Sequence, residues 1–315
     1  MKYRCNILLL LLIVTCIVQR SAAQNPAASD TVSVDRKLII LSEVVVSNRL
    51  NVPLFIERVK SDSTFYKAFR NLHLVNYRAI NDVRMLTSEG QFQASLFSKT
   101  RQIRTSGCRR MEVEEEHSTG DFYNSTGGYN YYTAEMYAGL FFTRGIICGE
   151  SPVVGNYQFS LEGKSGMEKH KEQLKMLFFN PGKRISGLPF MSGKTAVYDD
   201  EMAAYYDFSV DMEAYNHHSC YVFRQKVKPG AEDDVVLDEM VTWFDDKTFE
   251  VVARNYSLSY KAAVYDFQVT MEVQMTHCGD KLVPGLIRYV GNWKALFKKR
   301  ERGVFTATLY DFKPE

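Results

Sequence analysis

The chain has 315 residues, 45% of them hydrophobic and 13% aromatic, with 39 basic against 37 acidic residues and a formal net charge of +2. That balance excludes a disordered polyelectrolyte and leaves no global electrostatic case for nucleic acid or an anionic surface as partner. The 19 Tyr and 20 Phe suit a chain built mainly of strands.

The N-terminus reads as an export signal. Lys2 and Arg4 form a basic start, Ile7 to Val18 an apolar core, and Ser21-Ala22-Ala23 a small-residue cleavage site before Gln24. The apolar core is shorter than the ~20 residues a membrane span needs. Cleavage would remove Lys2, Arg4 and Arg20, leaving 36 basic residues against 37 acidic ones. Residues 1–23 are therefore expected to be a signal peptide, 24–37 a polar disordered leader, and 38–315 one β domain in the periplasm or outside the cell.

Leu38–Ser47 reads as a strand and Ser61–Leu74 as a helix, with Phe65, Phe69 and Leu72 on one face. Three strands are expected at Tyr77–Leu86, Gln91–Ile103 and Cys108–Glu116, with Gly90 and Ser106-Gly107 as turns. Asp121–Arg144 is crowded with rings. It reads as an aromatic hairpin packed in the core, or alternatively as a flap over a ligand mouth carrying Tyr129, Tyr131 and Tyr132. Helices follow near Met167–Phe179, stopped by Asn180-Pro181-Gly182, and from Asp199 or Asp200 through Tyr206.

Strands then run almost to the end: Cys220–Lys228, Val235–Phe244, Phe249–Tyr260, Val264–Thr276, Leu282–Trp293 and Val304–Phe312. Short links between consecutive strands predict an antiparallel meander. The segment Val264–Thr276 alternates without a fault. Tyr265, Phe267, Val269, Met271 and Val273 share one face, opposite Asp266, Gln268, Thr270 and Glu272. At about 3.3 Å per residue it would run roughly 40 Å, a length suited to a large curved sheet or an outer-membrane barrel. Arg254, set among Val252, Tyr256 and Leu258, argues against the barrel, because a charge facing lipid at mid-depth costs about 2–4 kcal/mol.

Four cysteines lie beyond the signal. Export permits oxidation, and the expected pairs are Cys108–Cys148 and Cys220–Cys278, with free buried thiols as the alternative. No template for catalysis, metal or cofactor fits. Leu188 stands where a P-loop needs its first glycine, and Pro189 removes an N–H. His217 and His218, adjacent on a strand, cannot easily reach one ion. No nucleophile elbow occurs.

Val241-Thr242-Trp243-Phe244-Asp245-Asp246-Lys247-Thr248-Phe249-Glu250-Val251-Val252 resembles the strand, Asp-x-x-Thr, strand hairpin of the LolA/LppX-like periplasmic lipid and lipoprotein carriers. Leu41–Val46 and the ending Phe305–Phe312 are similar to envelope proteins of the Bacteroidota. The resemblance implies an α+β, mainly β fold: a long, curved antiparallel half-barrel wrapped around a few helices, with acyl chains held between them. It implies a non-catalytic binding protein for lipid or acylated lipoprotein, with outer-membrane proteins as further partners and no cofactor. The apolar concave face would carry Trp243, Tyr265, Phe267, Val269, Met271 and Val273. A structural or protein-interaction module is the alternative; an unrecognised hydrolase and an outer-membrane barrel are lesser ones.

Overall fold

The computed structural model describes residues 52–150, 176–185, 191, 193–262, 265–295 and 299–315. The expected signal, leader and Leu38–Ser47 strand lie outside the described residues, as does most of the Met167–Phe179 helix, of which residues 176–179 are described and helical.

Eleven strands form one sheet: β1 (Asn76–Leu86), β2 (Phe92–Thr105), β3 (Cys108–Thr119), β4 (Ile147–Cys148), β5 (Tyr206–Tyr215), β6 (His218–Val227), β7 (Leu237–Asp245), β8 (Val251–Lys261), β9 (Tyr265–Cys278), β10 (Lys281–Ala295) and β11 (Glu301–Lys313). Their order is β4-β3-β2-β1-β11-β10-β9-β8-β7-β6-β5, so the sheet stays open, with β4 and β5 at its edges. Every pairing is antiparallel and joins chain neighbours except β1 with β11. Helices α1 (Val52–Ser61), α2 (Thr64–Asn71), α3 (Tyr132–Phe141) and α4 (Asp200–Ala203), the helical residues 176–179, and 3-10 turns at Leu72–Leu74 and Glu232–Asp234 complete the described elements. The architecture is the expected half-barrel around a few helices.

Register fixes which side chains share the inner face. One row crosses the sheet as Phe223, Thr242, Arg254, Val273, Ile287, Ala307, Asn81 and Ser98. The next runs Gln225, Met240, Tyr256, Met271, Tyr289, Phe305, Val83 and Leu96. The helices lie on this face. Phe55 of α1 meets Phe223 and Phe244, Phe65 of α2 meets Tyr256, and Tyr137 of α3 meets Phe305. Phe267, Val269, Met271 and Val273 are all buried there. Fully burying such a group is worth about 1.5–3 kcal/mol, so this stripe anchors the core. Gly291 is required where it stands: a Cβ there would lie 1.9 Å from the Tyr289 hydroxyl, whose ring lies over the next row.

The Asp-x-x-Thr hairpin has a local cause. Asp245 Oδ1 accepts the N–H groups of Lys247 (3.0 Å) and Thr248 (2.9 Å) and the Thr248 hydroxyl (3.2 Å). These bonds, the Thr248 N–H foremost, hold the Asp245 carboxyl at about 2.

Three expectations are corrected. Cys108 and Cys148 form a disulfide, but Cys220 and Cys278 are free, buried thiols. Cys220 is on β6 and Cys278 ends β9, three strand spacings of about 4.8 Å away, beyond the ~7 Å Cα limit for a bridge. The ring-rich segment is not a continuous hairpin: Tyr123 and Tyr129 form a single bridge, then Tyr132–Phe141 turns helical. The short helix from Asp200 ends at Ala203, and Tyr206 begins β5.

Candidate functional site

Between α3, residues 176–179 and strands β9–β11 lies a cleft lined by Met136, Tyr137, Leu140, Phe141, Phe178, Met271, Ile287, Tyr289 and Phe305. Its free volume is ≈ 10 Å³, about the room of one water, and its lining is apolar, so it offers a water no polar partners. The two covering segments are each tied to the sheet by polar bonds. The Tyr256 hydroxyl donates to the Phe178 carbonyl at 2.5 Å. At the start of α3, Tyr131 supplies no side-chain cap. Glu301 of β11 takes over, accepting the N–H groups of Tyr132 (3.0 Å) and Thr133 (2.9 Å) and the Thr133 hydroxyl (2.7 Å). A carboxylate there also complements the positive end of the helix.

Toward β6–β8 the same face turns polar. Arg254 is 5% exposed; its Nε donates to Thr242 Oγ1 at 2.9 Å, and its guanidinium carbon sits 4.3 Å from the centre of the Phe65 ring. Among the described residues it has no carboxylate in contact. Gln225 is fully buried, and among the described residues neither of its amide atoms has a partner in hydrogen-bonding geometry. Tyr198 feels both Arg254 and Gln225, and burial pushes its phenol up to about 12. The Lys183 ammonium lies 5.5 Å over the Tyr198 ring and donates to the carbonyls of Val59 and Lys60 at the end of α1. Burial first, then the field of Arg254, pulls its pKa down, with Asp62 opposing. Lys60, Gly182, Lys183, Arg184, Tyr198, Asp199 and Asp200 wall a groove of ≈ 470 Å³ beside this cluster.

Of the residues expected on the concave face, Phe267, Val269, Met271 and Val273 are there, and Met271 lines the cleft. Tyr265 pairs with Ala295 through its backbone; its side chain lies outside the described residues. Trp243 is a correction. It is in register with Ala253 and through it with Gln274, so it faces the opposite side of the sheet and packs on Tyr215 with centroids 4.8 Å apart. The inward positions of β7 are Met240, Thr242 and Phe244, and a ring between two of them must point out. Tyr129 and Tyr131 pack with Phe122 and Tyr123, the Tyr131 hydroxyl donates to Asp121, and Tyr132 opens α3. The other cleft residues were missed; those on α3 were hidden by reading that segment as strands.

His218 pairs with Asp245, and no group of three metal-ligating side chains occurs among the described residues. Of the Gly187–Thr195 segment, only Met191 and residues 193–195 are described. No described helix is long and apolar enough to cross a membrane, which says nothing of β-barrels.

No family model matches the sequence, and no curated protein matches it. Among solved structures, the chain is similar to a domain from Vibrio parahaemolyticus described as an outer membrane lipoprotein-sorting protein domain. That likeness has 9% identity and a TM-score of 0.29 over 82% of this chain and 92% of that one. It is also similar to a DUF1329 family protein from Desulfovibrio piger, with 9% identity and a TM-score of 0.25 over 80% of this chain and 94% of that one. Likenesses at this level leave the function to be argued from the chain's own residues.

Proposed function

We propose that this is an exported, non-catalytic binding protein of the cell envelope that shields an apolar ligand, a lipid or an acylated lipoprotein, while it crosses water. The observation that carries the reading is the cleft under α3 and residues 176–179, lined only by aliphatic and aromatic groups on a sheet that never closes. An acyl chain needs apolar walls and no cofactor. The ≈ 10 Å³ of free volume does not hold an acyl chain, so uptake requires α3 or residues 176–179 to move off β9–β11.

The same small volume favours one other reading, a structural or protein-interaction module whose helices are simply core. Native mass spectrometry with organic extraction, on protein purified from its own envelope, separates the two. Bound phospholipid or an acylated species supports the carrier. A ligand-free protein that takes up no fluorescent fatty-acid probe sinks it and leaves the module.

A further inference from the structure

The apolar cleft makes no use of the buried cation next to it. A guanidinium has five N–H donors in a fixed fork. Arg254 spends one on Thr242, and among the described residues no acceptor meets the four on its terminal nitrogens. Phe65 covers the face of the group, so the unused donors point along its plane. That edge matches a carboxylate or phosphate bidentately. Asp62 is near enough to act on Arg254 and Lys183 but contacts neither; it accepts the Thr64 N–H. The other cations at the groove are occupied, Arg184 by Asp199 and Lys60 by Glu57. A second buried polar group, the Gln225 amide, which has no partner in hydrogen-bonding geometry among the described residues, lies on the same face two strands away.

The position relative to the cleft matters as much as the charge. Arg254 shares a row with Ile287, two strands off, and Ile287 lines the cleft. Tyr256, which faces the same side two residues on, is bonded to Phe178 of the cleft wall and is in register with Met271. At about 4.8 Å per strand, the cation stands roughly 10 Å from the apolar lining, within reach of one molecule.

Resting on the carrier reading above, we propose that Arg254 binds the anionic head, phosphate or carboxylate, of an amphiphile whose acyl chain enters the cleft, with Lys183 adding positive field and Gln225 a further hydrogen bond.

The test compares oleoyl lysophosphatidic acid with monooleoylglycerol, the same chain with and without phosphate, by calorimetry on the delipidated full-length mature protein. The expected result is at least a roughly tenfold preference for the phosphate, the scale of a charge-assisted pair. In Arg254→Met the preference should fall to within about twofold while monooleoylglycerol binding is kept. That variant should melt no lower than wild type, because a hydrophobic group replaces a buried charge that meets no carboxylate among the described residues. Lys183→Gln should lose part of the preference. Equal binding of both probes by wild type overturns the head-group assignment alone; binding of neither overturns it together with the carrier reading. Inorganic phosphate competing as strongly as the lysolipid would make this a free-anion site instead. A preference that survives Arg254→Met, or a variant that fails to fold, overturns the inference.

Discussion

Arg104, Arg109 and Arg254 are buried on this sheet, and the last two are held in opposite ways. Arg109, on β3, donates to Glu150 from both Nε (2.5 Å) and Nη2 (3.1 Å), and its Nη1 donates to the Thr143 hydroxyl and to the side-chain Oε1 of Gln102. Arg254, on β8, has one hydroxyl and a ring among the described residues. The contrast extends to two buried glutamines. Gln102 donates to the Leu72 (2.6 Å) and Val75 (2.8 Å) carbonyls, satisfying the chain where the 3-10 turn ends, while the Gln225 amide has no partner in hydrogen-bonding geometry among the described residues, its nearest polar neighbour being the Tyr198 hydroxyl. A satisfied buried network specifies structure, whereas an unsatisfied one costs stability and is kept for something else.

The sharpest way to break that comparison is Arg109→Met. It leaves Glu150 and its surroundings without their cation and should cost about 3–5 kcal/mol in a urea titration, as removal of one member of a buried pair does. A loss no greater than that of Arg254→Met would erase the distinction. Gln102→Ala comes next, at about 2–3 kcal/mol for two carbonyls stripped of their donor. A Tm within a degree of wild type would show that water replaces the amide.

Acid should sharpen the picture at the Arg109 end. Burial pushes the Glu150 carboxyl up, but hydrogen bonds from His73 and Arg109 outweigh it and hold it at about 2, against an ordinary 4.5. Its stabilisation is complete above about pH 4.5 and fades as pH falls toward 2, on the order of 2 kcal/mol. His73 adds to the loss from higher pH. Burial lowers its pKa below 6.5, so the fold prefers the neutral ring and weakens as acid charges it. Chemical denaturation from pH 7 to 3 should therefore show stability falling throughout, with the lower stage absent in Glu150→Gln. The smallest effect is expected at the other end: Gln225→Leu should raise stability by up to about 1 kcal/mol, since it removes a buried amide without a partner in hydrogen-bonding geometry among the described residues. A clear destabilisation would reveal a partner for that side chain.

Most of the sheet was legible because one face is buried and the other is wet, which writes a period of two into β1, β2 and β6–β11. The strand β5 carries the same signal: Phe208, Val210 and Met212 alternate with Asp207, Ser209, Asp211 and Glu213. It was lost because Tyr206 falls at helical spacing from Met202. Helix α3 was illegible for another reason. Its Tyr, Phe and Thr residues favour strands and its Ala, Glu, Met and Leu residues a helix, so the local signal is mixed, and packing against Phe305 with Glu301 as a cap from a distant strand supports the helix. The cleft depends on α3, so it was hidden too. Arg254 stood out in the sequence as a misplaced charge, but which described groups it meets, Thr242 and Phe65, depends on tertiary neighbours.

The one pairing between distant strands has a consequence for the order of assembly. β1 and β11 meet near the middle of the sheet, and Asn76 Nδ2 donates to the Pro314 carbonyl 238 residues further on. A chain emerging N-terminus first can pair β1, β2 and β3 early and lay down the β5–β10 meander later, but the two halves join only when the last strand appears. Until then β1 and β10 each present an open edge flanked by apolar rows, the state most exposed to wrong partners. Long-range closure of this kind is also slow. Folding should thus be rate-limited by the C-terminal strand, and a nascent chain stalled before Glu301 should be the species that a chaperone captures.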